Sequence, residues 1–598
     1  MSITQLNRKI NQLLNSILGK QEECIRLNIL DLYNNFQDPE FDQYMFQLWF
    51  SYLFYVTDNK CIKELLYNYA FQNTVKFFRL EWMLKALNED SKCQKVKIGF
   101  STFLKQLQTE FDQKYWSLAG KSQKTKSANS PSIYKDKQDQ IIFNLIEQSL
   151  RLKKISIEKQ KDHMKTFLML INQMITSLRF SGQPEFCGLT IPFNCDNVDS
   201  FLIVNLLEDE FTCFNTAKRV PYKITIETVN PSELELIQNI NQLTQNNLPQ
   251  LIPIYDIEKE MRSISQVKIF QQYNIEELKK LALKKIDFQR MQYLQKQSKI
   301  AEKDINVSRS SNSSIWGEDW NITKQKIKQN SLYGNLKSHV VRQIIIKGGD
   351  DLRSELLIMQ MMRKINEIFN QKKNNLYLRP YDIILTSPNS GILEFIPNTV
   401  SIDKIKREYQ GISLRKFYQM NFDNFQEAQK NFAESLAAYS LICYLFQLKD
   451  RHNGNILIDN QGHIIHIDFG FVLTLTPGNV GFESAPFKLI SEYEELLNGK
   501  DSDMYMYYKI MIFSGMYQYL NNITELITFV KLINFSPNHN LLNCLENFSI
   551  NEFKKRFHEN VDQKKLFEIA DNLVKQSSNS LKTQLYDYFQ FQTNTIYY

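Results

Sequence analysis

The chain has 598 residues, 43% of them apolar and 13% aromatic, which excludes a disordered or collagen-like polymer and calls for about two to four domains. With only 18 Gly and 14 Pro, helix-rich structure with polar loops is favoured over an all-β chain. The formal net charge of +7, spread over this length, is too weak to argue for nucleic acid and suits contact with an anionic membrane surface.

The N-terminus lacks the basic start, apolar run and small-residue cleavage site of a signal peptide. Tyr44 to Val56 is the most apolar early run. It is shorter than a bilayer requires and carries Gln47 and Ser51, so it is expected to be a buried helix. To about Phe180, apolar residues recur at three- and four-residue steps and predict helices: Ile62, Leu65, Leu66 and Tyr69, then Leu80, Leu84 and Leu87. Gly120 to Gln140 is rich in Ser, Lys and Gln and reads as an exposed linker. Beyond Phe180 the pattern changes. Leu189 to Phe193, Phe201 to Leu207 and Tyr222 to Val229 are short, β-branched and bounded by Asn, Asp and Pro, as strands are. A polar segment follows from Pro231 to about Asn330, with a helical piece at Ile275 to Gln297 and a Ser-rich tail at Ser308 to Ser314. Val340 to Lys347 and Tyr381 to Thr386 read as further strands, with a helix at Glu355 to Phe369 between them. From about Ser401 the chain is mainly helical. The eight cysteines (Cys24, Cys61, Cys93, Cys187, Cys195, Cys213, Cys443, Cys544) form no CxxC pair. Neither a zinc site nor a disulfide framework is expected, and a reducing cytosolic compartment is.

Asp450-Arg451-His452-Asn453-Gly454-Asn455 falls between a predicted helix (Glu434 to Leu448) and a short strand (Ile456 to Ile458). Asp468-Phe469-Gly470 follows the apolar run from Ile464 to Ile467. Phosphoryl transfer needs a group to orient or deprotonate the attacking hydroxyl, and oxygen ligands for Mg²⁺ on the nucleotide phosphates. An Asp and an Asn on one loop, with a second Asp at a strand end, supply both. Protein kinases read His-Arg-Asp here; this chain reads Asp-Arg-His. Lys347 ends an apolar strand and runs into Gly348-Gly349-Asp350-Asp351, which suits a phosphate-binding lysine held by a carboxylate.

Lys347 to Glu355, Lys449 to Ile456 and His463 to Phe471 resemble the phosphatidylinositol 3- and 4-kinase superfamily. Gly481-Phe-Glu-Ser-Ala-Pro-Phe-Lys-Leu489 resembles its type III beta phosphatidylinositol 4-kinases. Ser331-Leu-Tyr-Gly-Asn335 resembles their phosphate loop, with Leu332 in place of Pro, and Leu585 to Asn594 their C-terminal helix. The close resemblance runs from about Trp316 to the end, with a weaker one over Cys61 to Leu87 and Leu189 to Val229. It implies an α+β fold: an N-terminal helical accessory domain (1–180), then a two-lobed, protein-kinase-like catalytic domain. Its β-rich N-lobe would take 185–230 and 331–400, 231–330 would be a partly disordered insert, and the helical C-lobe would take 401–598.

The resemblance also implies roles. Lys347 would contact the ATP phosphates, with Asp350 its first carboxylate partner and Glu355 its second, and Gly334 would cover the phosphates. Glu394 and the backbone of Ile396 would hold the adenine, walled by Tyr381, Ile346, Leu457 and Ile467. Asn455 and Asp468 would bind Mg²⁺, with Mn²⁺ as a substitute. Asp450 would orient or deprotonate the inositol hydroxyl, and His452 would be the base or would stabilise the transferring phosphate. Between Phe471 and Ile490 the only basic residue is Lys488, and one cation suits the single phosphodiester of unmodified phosphatidylinositol. The 4-hydroxyl is implied by resemblance only. The competing readings are a phosphatidylinositol 3-kinase or Ser/Thr kinase of this superfamily, and a non-catalytic membrane scaffold. Peripheral association with Golgi or endosomal membranes, and recruitment by small GTPases and calcium-sensor or adaptor proteins, are implied as well. The helix around Trp49 and Phe50 reads as core, with a docking face as the alternative.

Overall fold

The structure is a computed structural model that describes residues 3–19, 21–32, 44–54, 60–88, 94–119, 131–178, 188–193, 202–216, 219–233, 315–371, 374–477, 485–534 and 542–597. The expected helix at 275–297, the Ser-rich tail and residues 481–484 of the Gly481 motif lie outside the described residues.

The N-terminal part is helical: α1 (Ile3–Leu18), α2 (Glu22–Leu32), α3 (Met45–Phe54), α4 (Lys60–Ala70), α5 (Thr74–Asn88), α6 (Gln94–Ala119), α7 (Pro131–Arg151) and α8 (Ile157–Leu178). Trp49 and Phe50 on α3 are 0% and 1% exposed, so these two aromatics belong to the core. The linker expected at 120–140 is corrected over its second half. Helix α7 begins at Pro131, and Tyr134 is buried with its hydroxyl bonded to Gln138 and to the Gly188 carbonyl. One aromatic among polar residues gave no period to read, yet Tyr134 and the buried Gln138 are enough to seat this turn.

Strands β1 (Leu189–Thr190), β2 (Leu202–Cys213), β3 (Tyr222–Val229), β4 (Val340–Gly348), β5 (Ile383–Ser387) and β6 (Ser390–Glu394) form one antiparallel sheet in the order β1-β2-β3-β4-β6-β5. One face of β3 and β4 carries Tyr222, Ile224, Ile344 and Ile346, all buried, and the Tyr222 hydroxyl reaches the Leu145 carbonyl of α7 at 2.6 Å. The other face carries Lys223, Ile345 and Lys347, as strand alternation requires. Helix α9 (Trp320–Asn330), capped by Asp319, precedes β4, and α10 (Arg353–Gln371) follows it. Thus the polar segment expected at 231–330 ends in an ordered helix.

A second, three-stranded sheet takes β7 (Thr399–Ser401), β8 (Ile456–Asp459) and β9 (Ile464–His466). Around it lie α11 (Ile402–Glu408), α12 (Leu414–Asn421), α13 (Phe425–Phe446), α14 (Ser491–Leu496), α15 (Asp503–Leu520), α16 (Ile523–Ile533), α17 (Ile550–Lys555), α18 (Gln563–Ser577) and α19 (Leu581–Asn594). Side-chain hydroxyls or amides cap α11 (Ser401), α12 (Ser413) and α13 (Asn424), satisfying amides that the first turn leaves free.

One apolar core runs from the N-terminal helices through the first sheet into α13, α15 and α16. Polar contacts cross the same boundary: Gln47 to Gln360 at 3.1 Å, and Thr528 to Asn15 at 2.9 Å. Among the described residues no helix is long and apolar enough to cross a membrane. The described cysteines are all free thiols.

Candidate active site

Lys347 sits at the end of β4 with its ammonium 3.0 Å from Asp350, 3.8 Å from Asp468 and 4.0 Å from Glu355. Burial works against its charge, but the three carboxylates more than offset this and hold its pKa above the ordinary lysine value. Burial pushes Glu355 up, against the pull of Lys347. The Tyr381 hydroxyl donates to Glu355, so Tyr381 fixes that carboxylate with its polar end while its ring stays buried. The two glycines after Lys347 have separate reasons. A side chain on Gly348 would strike Ser149 of α7, and Gly349 has φ +75°, the left-handed turn that glycine adopts without cost.

The loop from Gln447 to Asn455 leaves α13 through Gln447, at φ 48°, and delivers the Asp-Arg-His-Asn run beside Asp468. Asp450 (φ 64°) and Asp468 (φ 58°) are both left-handed, a conformation sparsely populated outside glycine that costs on the order of 1–3 kcal/mol each unless neighbours impose it. Arg451 imposes it. Its guanidinium, 3% exposed, donates to the carbonyls of Lys449 (2.9 Å), Ile467 (2.8 Å) and Asp468. It thereby ties the loop from Gln447 to Asn455 to the Asp-Phe-Gly segment. The Ile467 amide adds a bond to the Asn455 carbonyl at 3.1 Å.

Asn455 donates its amide nitrogen to the Asp450 carbonyl (3.1 Å), which fixes the planar amide and leaves its oxygen as the end able to meet a cation. The Lys347 ammonium holds Asp468 below the usual carboxylate range, and its side chain is 44% exposed. An amide oxygen and an ionised, accessible carboxylate are the hard oxygen donors that Mg²⁺ prefers, so the residues present fit that ion. Burial raises the pKa of Asp450, against the hydrogen bond from Tyr586. His452 is pushed down to about 4, first by burial and then by Arg451, so its imidazole is neutral near pH 7. Its Nδ1 accepts from the Gly454 amide at 3.1 Å, which puts the ring proton on Nε2, 3.8 Å from Asp450.

Some residues fall outside this cluster. Gly334 is not brought to the phosphate lysine. The register pairs Thr228 with Val340 and Tyr222 with Ile346, so the loop before Val340 sits at the strand end opposite Lys347, about 23 Å away at ~3.3 Å per residue. Tyr333 anchors it there on Leu202, Val204 and Val229, and Ser331 hydrogen-bonds Glu227, which is also held by His339 at 2.8 Å. The segment beside Lys347 is the β2–β3 connection. From it, Arg219 reaches Asp350 at 2.8 Å and the Gly349 carbonyl. The adjacent basic pair Lys218-Arg219 between two strands was the available signal.

Ile346 is also corrected: it is 0% exposed on the face opposite Lys347, and Ile345 shares the lysine's face. Glu394 spends its carboxylate on Arg379 and on the Asp382 amide, at 3.0 Å for the latter. Ile396 is buried, with its carbonyl taken by Thr399 at 2.7 Å. Leu457 and Ile467 are partly buried against the core. Lys488, the cation expected to meet the lipid phosphodiester, is already paired within the chain. Its ammonium pairs with Asp587 of α19 at 2.7 Å, the two side chains 3% and 5% exposed, and contacts Asn453 at 3.3 Å. An acid 99 residues downstream is invisible to a reading of the loop. Helix α19 also sends Tyr586 and Gln590 to Asp450, the latter at 3.3 Å.

A lysine–carboxylate cluster facing an Asp/Asn loop is the arrangement that phosphoryl transfer of the kinase type requires. Residues 342–541, which hold all of Lys347, Asp450, His452, Asn455 and Asp468, match the family "Phosphatidylinositol 3- and 4-kinase". Within that class the similarity is to phosphatidylinositol 4-kinases. The chain is 40% identical over 284 residues to phosphatidylinositol 4-kinase beta of Danio rerio and 39% identical over 284 residues to that of Homo sapiens, in each case 47% of this chain and 34% of the relative. It is 37% identical over 304 residues to phosphatidylinositol 4-kinase of Dictyostelium discoideum, 50% of this chain and 25% of the relative. The chain thus spans about a third or less of the length of these curated relatives.

Proposed function

We propose that this protein transfers the γ-phosphoryl group of ATP to the inositol 4-hydroxyl of phosphatidylinositol, in a two-lobed catalytic unit with the first sheet above the cleft and α11 to α19 below. The observation that carries the reading is the meeting of Lys347 of β4 with Asp468, two residues past the end of β9, at 3.8 Å, beside Asp450 and Asn455. Lys347, oriented by Asp350 and Glu355, would neutralise phosphate charge. Arg219 and its loop, rather than Gly334, would cover the phosphates. Ile345, Leu457, Ile467 and the backbone at Glu394 to Ile396 would border the adenine. Asn455 and Asp468 would hold Mg²⁺, which when bound supplies charge neutralisation on the nucleotide phosphates.

Asp450 would orient the inositol hydroxyl and take its proton. Its pKa, raised by burial, makes it a better base than an exposed carboxylate. His452 has its Nδ1 lone pair committed and a proton on Nε2, which suits donation to a phosphate oxygen rather than proton abstraction. Because Lys488 is already paired, substrate choice rests on the relatives' names and not on that residue. The lipid would be met from the water side. Helix α19 holds Asp450 with one face and leaves Leu581, Leu585, Tyr588 and Phe589 exposed, and this row at helical spacing is where we place membrane contact. Recruitment to Golgi or endosomal membranes by small GTPases, calcium sensors or adaptors belongs to the same proposal.

The test is incubation of purified protein with labelled ATP, Mg²⁺ and phosphatidylinositol vesicles, followed by separation of product isomers. Phosphatidylinositol 4-phosphate is expected. A 3-phosphate product would overturn the regiochemistry. ATP binding without any lipid product would favour a protein kinase, and no ATP binding would favour a scaffold.

A further inference from the structure

The N-terminal helices touch the strand that borders the nucleotide site through Arg79 of α5. Its Nη2 donates to Asp382 Oδ1 at 3.2 Å and its Nη1 to the Pro192 carbonyl at 3.0 Å. The Asp382 side chain is 4% exposed, and the same oxygen accepts from Arg363 of α10 at 3.3 Å. Arg363 also holds the Tyr381 carbonyl at 2.8 Å. The Asp382 backbone completes the junction: its amide donates to Glu394 Oε2 at 3.0 Å, and its carbonyl accepts from the Glu394 amide at 2.9 Å. Asp382 therefore joins the helical region and α10 through its buried carboxylate, and β6 through its backbone. Tyr381, the preceding residue, sends its hydroxyl to Glu355, and Glu355 lies 4.0 Å from Lys347. Asp382, Tyr381 and Glu355, the middle of this chain of contacts, are each 2–3% exposed, and buried polar contacts of this kind are stiff and mutually reinforcing.

We propose that Arg79 is a positioning residue for the nucleotide site, acting through Asp382, Tyr381 and Glu355 on Lys347. This rests on reading Lys347 as the phosphate-binding lysine. The N-terminal helical region is then part of the catalytic unit and not an appended module.

The ion pair is a good probe because two guanidinium groups share one carboxylate. Removing Arg79 leaves Arg363 on Asp382, so no buried charge is stranded and the folding cost is small. The experiment measures binding of a fluorescent ATP analogue with Mg²⁺, the KM values for ATP and for phosphatidylinositol vesicles, kcat and the melting temperature, for the full chain and its Arg79→Gln variant. The expected result is a KM for ATP and an analogue Kd raised about five- to tenfold, with the lipid KM within twofold of wild type; Arg79→Lys should recover most of the loss. A purely structural role would lower the melting temperature or the active fraction and leave the KM for ATP unchanged, and that result overturns the proposal. If Arg79→Gln does not fold, Asp382→Asn decides by the same criterion, since it removes the charge and keeps the shape. Wild-type protein that binds no nucleotide would sink the reading of the site itself. Wild-type binding with unchanged affinity in the variant would sink only the role of Arg79.

Discussion

The hydroxyl of Tyr586 donates to Oδ1 of Asp450, 136 residues earlier in the chain. The C-terminal helix thus grips the residue proposed to take the substrate proton, and Gln590 on the next turn of that helix reinforces the grip. Removing the Tyr586 hydroxyl takes away a hydrogen bond that stabilises the ionised carboxylate, so the pKa of Asp450 rises further above the usual Asp value. A base works only when ionised. Tyr586→Phe should therefore shift the acid limb of the kcat/KM profile to higher pH, by roughly half to one unit. A pH series on vesicle phosphorylation checks this, and an unmoved limb argues against Asp450 as the base.

His452 makes a complementary prediction. With its pKa near 4, it stays neutral from pH 5.5 upward and contributes no limb near 6.5. His452→Gln should lower kcat by roughly 10²-fold through lost stabilisation of the transferring phosphate, without changing the shape of the profile. If a limb near 6.5 is present in the wild type and disappears in this variant, His452 is the base.

The pairing of Lys488 with Asp587 reverses an expectation formed from the loop sequence. Had Lys488 been a free substrate cation, Lys488→Ala would spare ATP hydrolysis and abolish lipid phosphorylation. Since the substitution strands a buried carboxylate, it should instead cost about 3–5 kcal/mol of stability and depress both activities together. Denaturant titration beside the two activity assays separates these outcomes. Replacing both partners, as in Lys488→Met with Asp587→Leu, should recover most of the stability.

The outer face of the same C-terminal helix gives a prediction for the membrane. Leu585 and Phe589 are 63% and 55% exposed, one helical turn apart, so changing them to Asp leaves no buried charge. Phosphorylation of vesicle-borne lipid should fall roughly tenfold, and ATP hydrolysis without lipid should stay within about twofold. Vesicle co-sedimentation provides the direct readout, and equal sedimentation of wild type and variant would remove this face from the lipid contact.

Much of the fold was legible because the signals are local. The β-branched run at Tyr222 to Val229 is strand β3 from end to end, and the apolar steps Ile62, Leu65, Leu66 and Tyr69 lie within α4. The start of α7 was not legible, since two buried residues, Tyr134 and Gln138, hold a segment that otherwise looks solvent-exposed. The phosphate loop was misplaced for a related reason. Ser331 to Asn335 resembles a known loop in sequence, but only strand register reveals that it lies at the end of β4 away from Lys347, with Arg219 at the lysine's end.

The sequence by itself determined the candidate chemistry: a lysine at a strand end, the reversed Asp-Arg-His run and the later Asp-Phe-Gly are short motifs whose residue types and spacing already point to phosphoryl transfer. Only the tertiary structure decided which charges stand free. Lys488 finds its acid 99 residues away, Asp450 its tyrosine 136 residues away and Arg79 its aspartate 303 residues away. A charge's availability depends on what faces it across the fold, and a linear reading has no access to that.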